Sequence, residues 1–206
     1  MKKNLTIILI FIVILVVGLG IGWFLGRGGY DGNEKTAQFN EGSDDIFQGA
    51  ARQDEVLERG GFSVLIPMGW KEVAAPTGVS AMVVNAGEEV SDPALQNINF
   101  RSYYSVSYDT LKEKTIEEYS AYIKNMVKEF APNIVFTPEE NIKINANDAY
   151  KLEADLNQQG ANFKVLIFLI KGKDDDIWNM SFNSGAMDWE KNREEFDRIA
   201  QTFTIK

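Results

Sequence analysis

The feature that most constrains this chain is an uncharged apolar run near its start, from Leu5 to Leu25. A bilayer core is about 30 Å thick, and about 20 apolar residues rising 1.5 Å each cross it as a helix. Lys2 and Lys3 precede the run and Arg27 follows it. Trp23 lies near its far end, where aromatic rings favour the headgroup region. The run therefore predicts a single membrane-spanning anchor.

A cleaved signal peptide is the alternative interpretation of this segment. Its apolar region usually spans about 7–15 residues and ends in small residues such as alanine. Here the run is longer, and the small residues at that spacing are glycines. Basic residues on the two sides of the run nearly balance, with a preference for a cytoplasmic N-terminus. We therefore expect a single-pass cell-membrane protein whose bulk is extracytoplasmic.

Three glycines are spaced four residues apart, at Gly18 and Gly22 within the run and at Gly26 directly after it. This spacing places them on one helix face, where another helix can approach closely. Helix–helix association is one interpretation of the pattern. The other is that glycine is simply common in membrane helices.

Composition divides the chain into three parts and excludes several functions. We predict a cytoplasmic tip and anchor at 1–27, a flexible polar tether at 28–60 and one globular domain at 61–206. The net charge is −9, and the residues after 27 hold 18 basic against 30 acidic side chains. Such an acidic surface argues against binding to nucleic acid.

The chain contains no cysteine and no histidine, so Ser–His and Cys–His pairs are excluded. The densest carboxylate cluster is Asp174–Asp176, which is either a weak calcium site or a solvated turn between strands. Asp favours such turns, and the spacing of a calcium loop is missing. We therefore predict no catalytic residue, no metal ligand and no cofactor.

Residue patterns in the domain predict many short strands and two amphipathic helices. The longest apolar segment, Phe163–Ile170, suggests a central strand covered on both faces. Thr115 and Glu118 form a capping-box pattern at the start of a helix that ends before Pro132. A second helix is expected from Asp188. Strands joined by short turns indicate an antiparallel sheet, so the fold class is α+β with helices packed on that sheet.

The order of these signals resembles the PsbP-like superfamily, named for the extrinsic P subunit of photosystem II. The residues that carry the resemblance are the strand into Ile66–Trp70, the turn Asn145–Tyr150 and the late helix ending in Phe196, Ile199 and Phe203. The resemblance covers about Phe62–Lys206 and implies an α/β/α sandwich. It also implies an accessory or adapter role in protein complexes, and it transfers no manganese or calcium site.

Aromatic residues were considered as binding groups. Trp70, Trp178 and Trp189 lie on apolar faces, which is typical of core residues rather than of a ligand pocket. Tyr103 falls among the polar positions of its strand, beside Arg101, and we expect it to be exposed. An exposed aromatic residue beside arginine suits a protein interface. Tyr103 and Arg101 are therefore the predicted binding residues.

Three functions remain open at this point. The first is a non-enzymatic, membrane-anchored binding or accessory module for a protein partner. The second is a carrier or sensor of a small apolar ligand held between sheet and helix. The third, a carboxylate-based hydrolase, is disfavoured because nothing in the sequence pairs two carboxylates across a cleft.

Overall fold

A computed structural model describes residues 51–158 and 160–206 of the chain. The predicted anchor Leu5–Leu25, its glycines Gly18, Gly22 and Gly26, and the tether up to residue 50 lie outside the described residues. Within the described ranges, no helix has both the length and the apolar character needed to cross a membrane.

The described residues form eleven strands and three α-helices. The strands are β1 (Glu55–Arg59), β2 (Phe62–Ile66), β3 (Trp70–Val73), β4 (Ala81–Asn85), β5 (Tyr103–Thr110), β6 (Val135–Phe136), β7 (Glu140–Ile144), β8 (Asn147–Gln158), β9 (Ala161–Lys171), β10 (Asp176–Gly185) and β11 (Thr204–Ile205). The helices are α1 (Pro93–Asn97), α2 (Ile116–Phe130) and α3 (Trp189–Gln201), and a 3₁₀ turn at Ala186–Asp188 precedes α3.

Eight strands form one large sheet in the order β3-β4-β5-β10-β9-β8-β6, and β7 also pairs with β8. Every pair is antiparallel. The long hairpin of β9 and β10 lies at the centre, as the apolar segment Phe163–Ile170 predicted. Its residues face two clusters alternately, since Leu166 and Leu169 belong to different hydrophobic clusters. A mainly antiparallel sheet with a few helices confirms the predicted α+β class.

The two faces of the large sheet are covered by different helices. Ile123 and Val127 of α2 pack in one cluster with the sheet, and Phe196 and Ile199 of α3 pack in the other. We call these sides of the sheet the α2 face and the α3 face. The predicted capping box is present, because Thr115 Oγ1 accepts from the Glu118 N–H and the Glu118 side chain accepts from the Thr115 N–H.

A second, three-stranded sheet has the order β1-β2-β11. Its first strand, Glu55–Arg59, lies inside the stretch predicted as tether, so the folded region begins before residue 61 and that boundary is corrected. Leu57 is the only buried residue of this strand, so the sequence of the strand has no alternating pattern that would predict it. Strand β11 adds residues 204–205 to the other edge of β2.

The segment between β4 and β5 contains a short helix, α1. Asp92 caps it by accepting from the Ala94 N–H at 2.8 Å, and Pro93 occupies its first turn. Proline is favoured there because its missing N–H has no helical partner in any case. Leu95 of α1 is fully buried on the α2 face, so the loop closes one end of that face.

Candidate functional site

An exposed apolar patch lies on the outer side of the small sheet. Val56 on β1 is directly opposite Leu65 on β2, and side chains in such cross-strand pairs are in contact range. Val56 is 64% exposed, Leu65 is half-buried, and Met68, just after β2, is 66% exposed. Alternation explains this arrangement, because Leu57 and Val64 of the same strands face the core. We call Val56, Leu65 and Met68 the β1–β2 patch.

Charged side chains border the β1–β2 patch. Asp54 accepts from the Met68 N–H at 3.0 Å and from Arg198 Nη1 at 2.8 Å, which joins the patch to α3. The hydrogen bond from Arg198, followed by that from Met68, holds the pKa of Asp54 below its usual range. Lys206 pairs with Glu58 at 2.9 Å on the same strand as Val56. An apolar centre with a charged rim is the usual anatomy of a protein interface.

The predicted binding residues Tyr103 and Arg101 do not form an exposed pair. Tyr103 is 1% exposed, so the expectation that it is exposed is wrong. Its ring packs edge-on against Phe100 at 6.3 Å, and burial raises the pKa of its hydroxyl. Arg101 is half-buried and donates from Nη1 to the Phe100 carbonyl at 2.8 Å. The polar side of this strand faces a second packed layer and not solvent.

The three tryptophans of the domain are core residues, as their sequence context predicted. Trp70, Trp178 and Trp189 are 3%, 7% and 2% exposed. Trp178 packs on Phe62 at 5.2 Å, and Trp189 packs on Phe196 at 6.0 Å. These tryptophan rings pack against other aromatic rings in the cluster on the α3 face. This packing does not favour a pocket for an apolar ligand there.

The Asp174–Asp176 cluster forms the turn between β9 and β10. Asp174 adopts a positive φ of 53°, and the Asp176 N–H donates to the Lys173 carbonyl at 3.0 Å. The carboxylates have separate partners: Asp176 Oδ1 accepts from the Tyr108 hydroxyl, whereas Asp175 Oδ2 accepts from the Glu113 N–H. Among the described residues, no group of three or more carboxylates is placed to hold a metal ion.

A buried polar network connects the loop after β4 to α3. The carboxylate of Glu88 accepts from the Ser102 hydroxyl at 2.7 Å and from Asn192 Nδ2 at 2.8 Å. Asn192 Nδ2 also lies 2.9 Å from Ser184 Oγ. All four residues are at most 5% exposed. Because their polar atoms satisfy each other and are closed to solvent, we interpret the network as structural.

An open groove of about 770 Å³ lies where α2 begins. Its charged lining is mixed, with Glu113, Lys114 and Glu117 near the helix and Lys143, Asp148 and Lys171 on the strands, and Lys143 already pairs with Asp148 at 2.6 Å. The groove therefore has no net preference for a charged ligand. The uncharged lining comes from Thr115 and Ile116 at the start of α2, from Asn141 and Ile142 of β7 and from Ala149 of β8.

Solved structures show where this architecture has been seen before. The solution structure of cyanobacterial PsbP (CyanoP) from Synechocystis superposes with a TM-score of 0.55, covering 77% of this chain and 96% of that chain. The chain has a PsbP-like fold. Sequence identity to CyanoP is 14%, so the similarity concerns the fold alone. No protein-family model matches the chain, and no curated protein sequence does.

Two further solved structures share the PsbP-like fold. LpqN of Mycobacterium tuberculosis superposes with a TM-score of 0.54 at 10% identity, covering 75% of this chain and 91% of LpqN. Mog1p of Saccharomyces cerevisiae superposes with a TM-score of 0.51 at 10% identity, covering 74% of this chain and 95% of Mog1p. The fold that the resemblance implied is therefore supported in the described part of the chain.

Proposed function

We propose that this chain is a non-catalytic binding module that contacts a protein partner through the β1–β2 patch. In this proposal, Leu5–Leu25 anchors the chain in a bacterial cell membrane and the domain lies on the extracytoplasmic side. The observation that carries the proposal is the cross-strand pair of exposed Val56 and half-buried Leu65, with exposed Met68 two residues after β2, bordered by ion pairs. Exposed apolar clusters with polar rims are typical of protein-binding sites.

Solved structures with the same fold support a binding role without identifying a partner. The Mog1p structure is described as a Ran-binding protein, and LpqN is described as involved in cell envelope biogenesis. Their similarity in fold supports a binding or accessory role for this chain.

The test is photo-crosslinking of the full chain in its native cells, followed by mass spectrometry. Val56→Glu and Met68→Glu place a charge in the centre of the proposed interface, where desolvation of an unpaired charge weakens binding. We expect the crosslinked partner to fall by about tenfold or more, as for central interface residues. Both side chains are exposed, so the substitutions leave the core intact.

The structure provides matched controls outside the β1–β2 patch. Val135 is 62% exposed and Met187 is 66% exposed, against 64% and 66% for Val56 and Met68. Val135→Glu and Met187→Glu should leave the crosslinked partner unchanged. Equal loss in all four variants, or no loss in the two patch variants, would overturn the assignment of this surface.

A further inference from the structure

The outer edge of strand β1 is unpaired among the described strands. The small sheet has the order β1-β2-β11, so β2 is paired on both edges and β1 on only one. Every residue of β1 except Leu57 is exposed. An unpaired edge presents N–H and C=O groups to which another strand can bond. We call the unpaired side of Glu55–Arg59 the β1 edge.

The register of the small sheet shows which backbone groups face the β1 edge. On the far side of β2, the Leu65 N–H donates to Thr202 Oγ1 at 3.0 Å, so the odd-numbered residues of β2 point away from β1. The even-numbered residues of β2 therefore bond β1, and the residues opposite them on β1 are odd-numbered. The backbone N–H and C=O groups of Val56 and Glu58 are left to face the β1 edge.

The charged residues of β1 are arranged symmetrically about Leu57. Glu55 lies two residues before it and Arg59 two residues after it, so alternation puts all three side chains on one side of the strand. When two copies of β1 pair antiparallel about Leu57, Glu55 of each copy is opposite Arg59 of the other. Arg59 already pairs with Glu72 of β3, but a guanidinium has five N–H donors and can bond a second carboxylate. The charge pattern of β1 is therefore complementary to itself.

Other antiparallel registers of two β1 strands bring like charges together. Edge-facing residues must lie opposite edge-facing residues, so one strand can slide past the other only by two residues at a time. A slide by two places Glu58 opposite Asp54 in one direction and opposite its own copy in the other. A slide by four pairs Glu55 with Glu55, or Arg59 with Arg59. Like charges directly opposite each other are destabilising, which leaves the register centred on Leu57.

We infer that the β1 edge binds a second copy of this chain through antiparallel pairing of the two β1 strands about Leu57. Val56 and Glu58 of each copy exchange backbone hydrogen bonds with Glu58 and Val56 of the other, and the two small sheets become one six-stranded sheet. Charges on a sheet edge commonly prevent pairing, and here they select one register. Five residues from each copy are far fewer than the roughly 20–30 of a stable interface, so the dimer is weak and reversible.

The first experiment captures the dimer as a disulfide, which is specific because the chain contains no cysteine. Full-length Val56→Cys and Glu58→Cys are mixed in detergent micelles and oxidised. Positions 56 and 58 of the two copies are directly opposite, with Cα atoms about 5.5 Å apart, within the range of a disulfide. Identical positions are diagonal neighbours about 7–8 Å apart, so the mixed disulfide should exceed either disulfide between identical variants by about tenfold.

Val135→Cys is the matched control for random collision. Val135 is 62% exposed, against 64% for Val56, and it lies on β6 at the far edge of the large sheet. It should form little disulfide with either β1 variant. No disulfide at all, equal yields of the three disulfides, or an equal yield with Val135→Cys would overturn the inference.

The second experiment reverses the charges and measures the same disulfide between positions 56 and 58. Glu55→Arg makes both ends of β1 positive, and Arg59→Glu makes both ends negative. Each variant with itself should form about tenfold less disulfide, because two attractive pairs become repulsive. The two variants mixed with each other, and the double variant Glu55→Arg/Arg59→Glu with itself, should recover the yield. Loss without recovery, or no response to charge, would contradict this pairing.

Met68→Glu distinguishes this dimer from the partner contact proposed above. Val56 belongs to both surfaces, whereas Met68 belongs to the β1–β2 patch and lies outside β1. Met68→Glu should therefore reduce the crosslinked partner and leave the disulfide between positions 56 and 58 unchanged. Capture of a different protein by Val56→Cys, without the disulfide dimer, would overturn the second copy as occupant and leave the partner contact standing.

Discussion

Asn192 of α3 donates to the buried carboxylate of Glu88 at 2.8 Å across 104 residues of sequence. The bond joins the loop after β4 to α3, which lies near the C-terminal end of the sequence. Ser102 supplies the remaining donors to this carboxylate through its N–H and its hydroxyl. Every hydrogen-bond donor to the Glu88 carboxyl group among the described residues is therefore a neutral group.

Removing Asn192 should be strongly destabilising. Asn192→Leu leaves a buried charged acceptor short of one donor, and we expect the free energy of unfolding to fall by about 3 kcal/mol. Urea denaturation followed by circular dichroism measures the change. Asn133→Leu is the control, because Asn133 is exposed and donates from Nδ2 to the Asn157 carbonyl at 3.1 Å. A change below about 0.5 kcal/mol in Asn192→Leu would contradict a structural role for the network.

The hydroxyl of Thr115 should stabilise the start of α2. Thr115→Ala removes the acceptor for the Glu118 N–H, and loss of such a cap costs about 1 kcal/mol. Amide hydrogen exchange in the first turn of α2 should accelerate accordingly. Thr115→Ser retains the hydroxyl and should exchange at nearly the rate of the unmodified chain. Equal acceleration in both variants would argue against the capping interaction.

Arg198 should determine the titration of Asp54. The pKa of Asp54 is lowered chiefly by its hydrogen bond from Arg198, so Arg198→Ala should raise it toward its usual value of 3.8. NMR titration of the carboxyl carbons measures this shift. Asp148 is the internal control, because its pKa is lowered chiefly by Lys143 and should not move.

The sign of the linked stability change follows from the direction of this shift. A carboxyl whose folded pKa lies below its unfolded pKa stabilises the fold above the unfolded value. That contribution disappears as pH falls through the folded pKa. Arg198→Ala should therefore reduce stability near neutral pH and have less effect in acid below the folded pKa of Asp54. An effect that grows on acidification would contradict this linkage.

Two glycines should respond differently to alanine. A Cβ atom at Gly185 would come within 2.6 Å of Leu95 Cδ1, and Leu95 is fully buried and cannot easily move. Gly185→Ala should cost about 1–3 kcal/mol through overpacking. At Gly60 nothing lies within 4 Å of the added atom, so Gly60→Ala should be neutral or slightly stabilising. Thermal unfolding of both variants is the measurement, and equal losses would show that the close approach is relaxed.

Local signals in the sequence predicted most of the elements. The capping box at Thr115 and the apolar run in β9 are patterns of residues close together in the sequence. Both predictions made from them are confirmed. Strand β1 was missed because a five-residue edge strand with one buried residue has almost no period. Its pairing with β2 is made through a two-residue connection, Gly60 and Gly61.

The binding residues could not be derived in the same way. Alternation along β5 distinguishes two sides of the strand, but it does not tell which side meets water. The side with Tyr103, Ser105 and Ser107 is polar and yet buried, because α1, α2 and their loops form a second layer over it. Likewise, Val56 and Leu65 become neighbours only when β1 pairs with β2.

Strand β2 has partners on both edges, and one of them, β11, is residues 204–205. During synthesis, β2 and its early partner β1 emerge long before β11 and α3. The aromatic side of β2, with Phe62 packed on Phe203 at 5.6 Å, therefore stays uncovered until the late residues appear. A ribosome-bound chain consequently presents this apolar surface to chaperones, and the time for which the surface stays exposed is determined by elongation and not by the local folding rate of the β1–β2 hairpin.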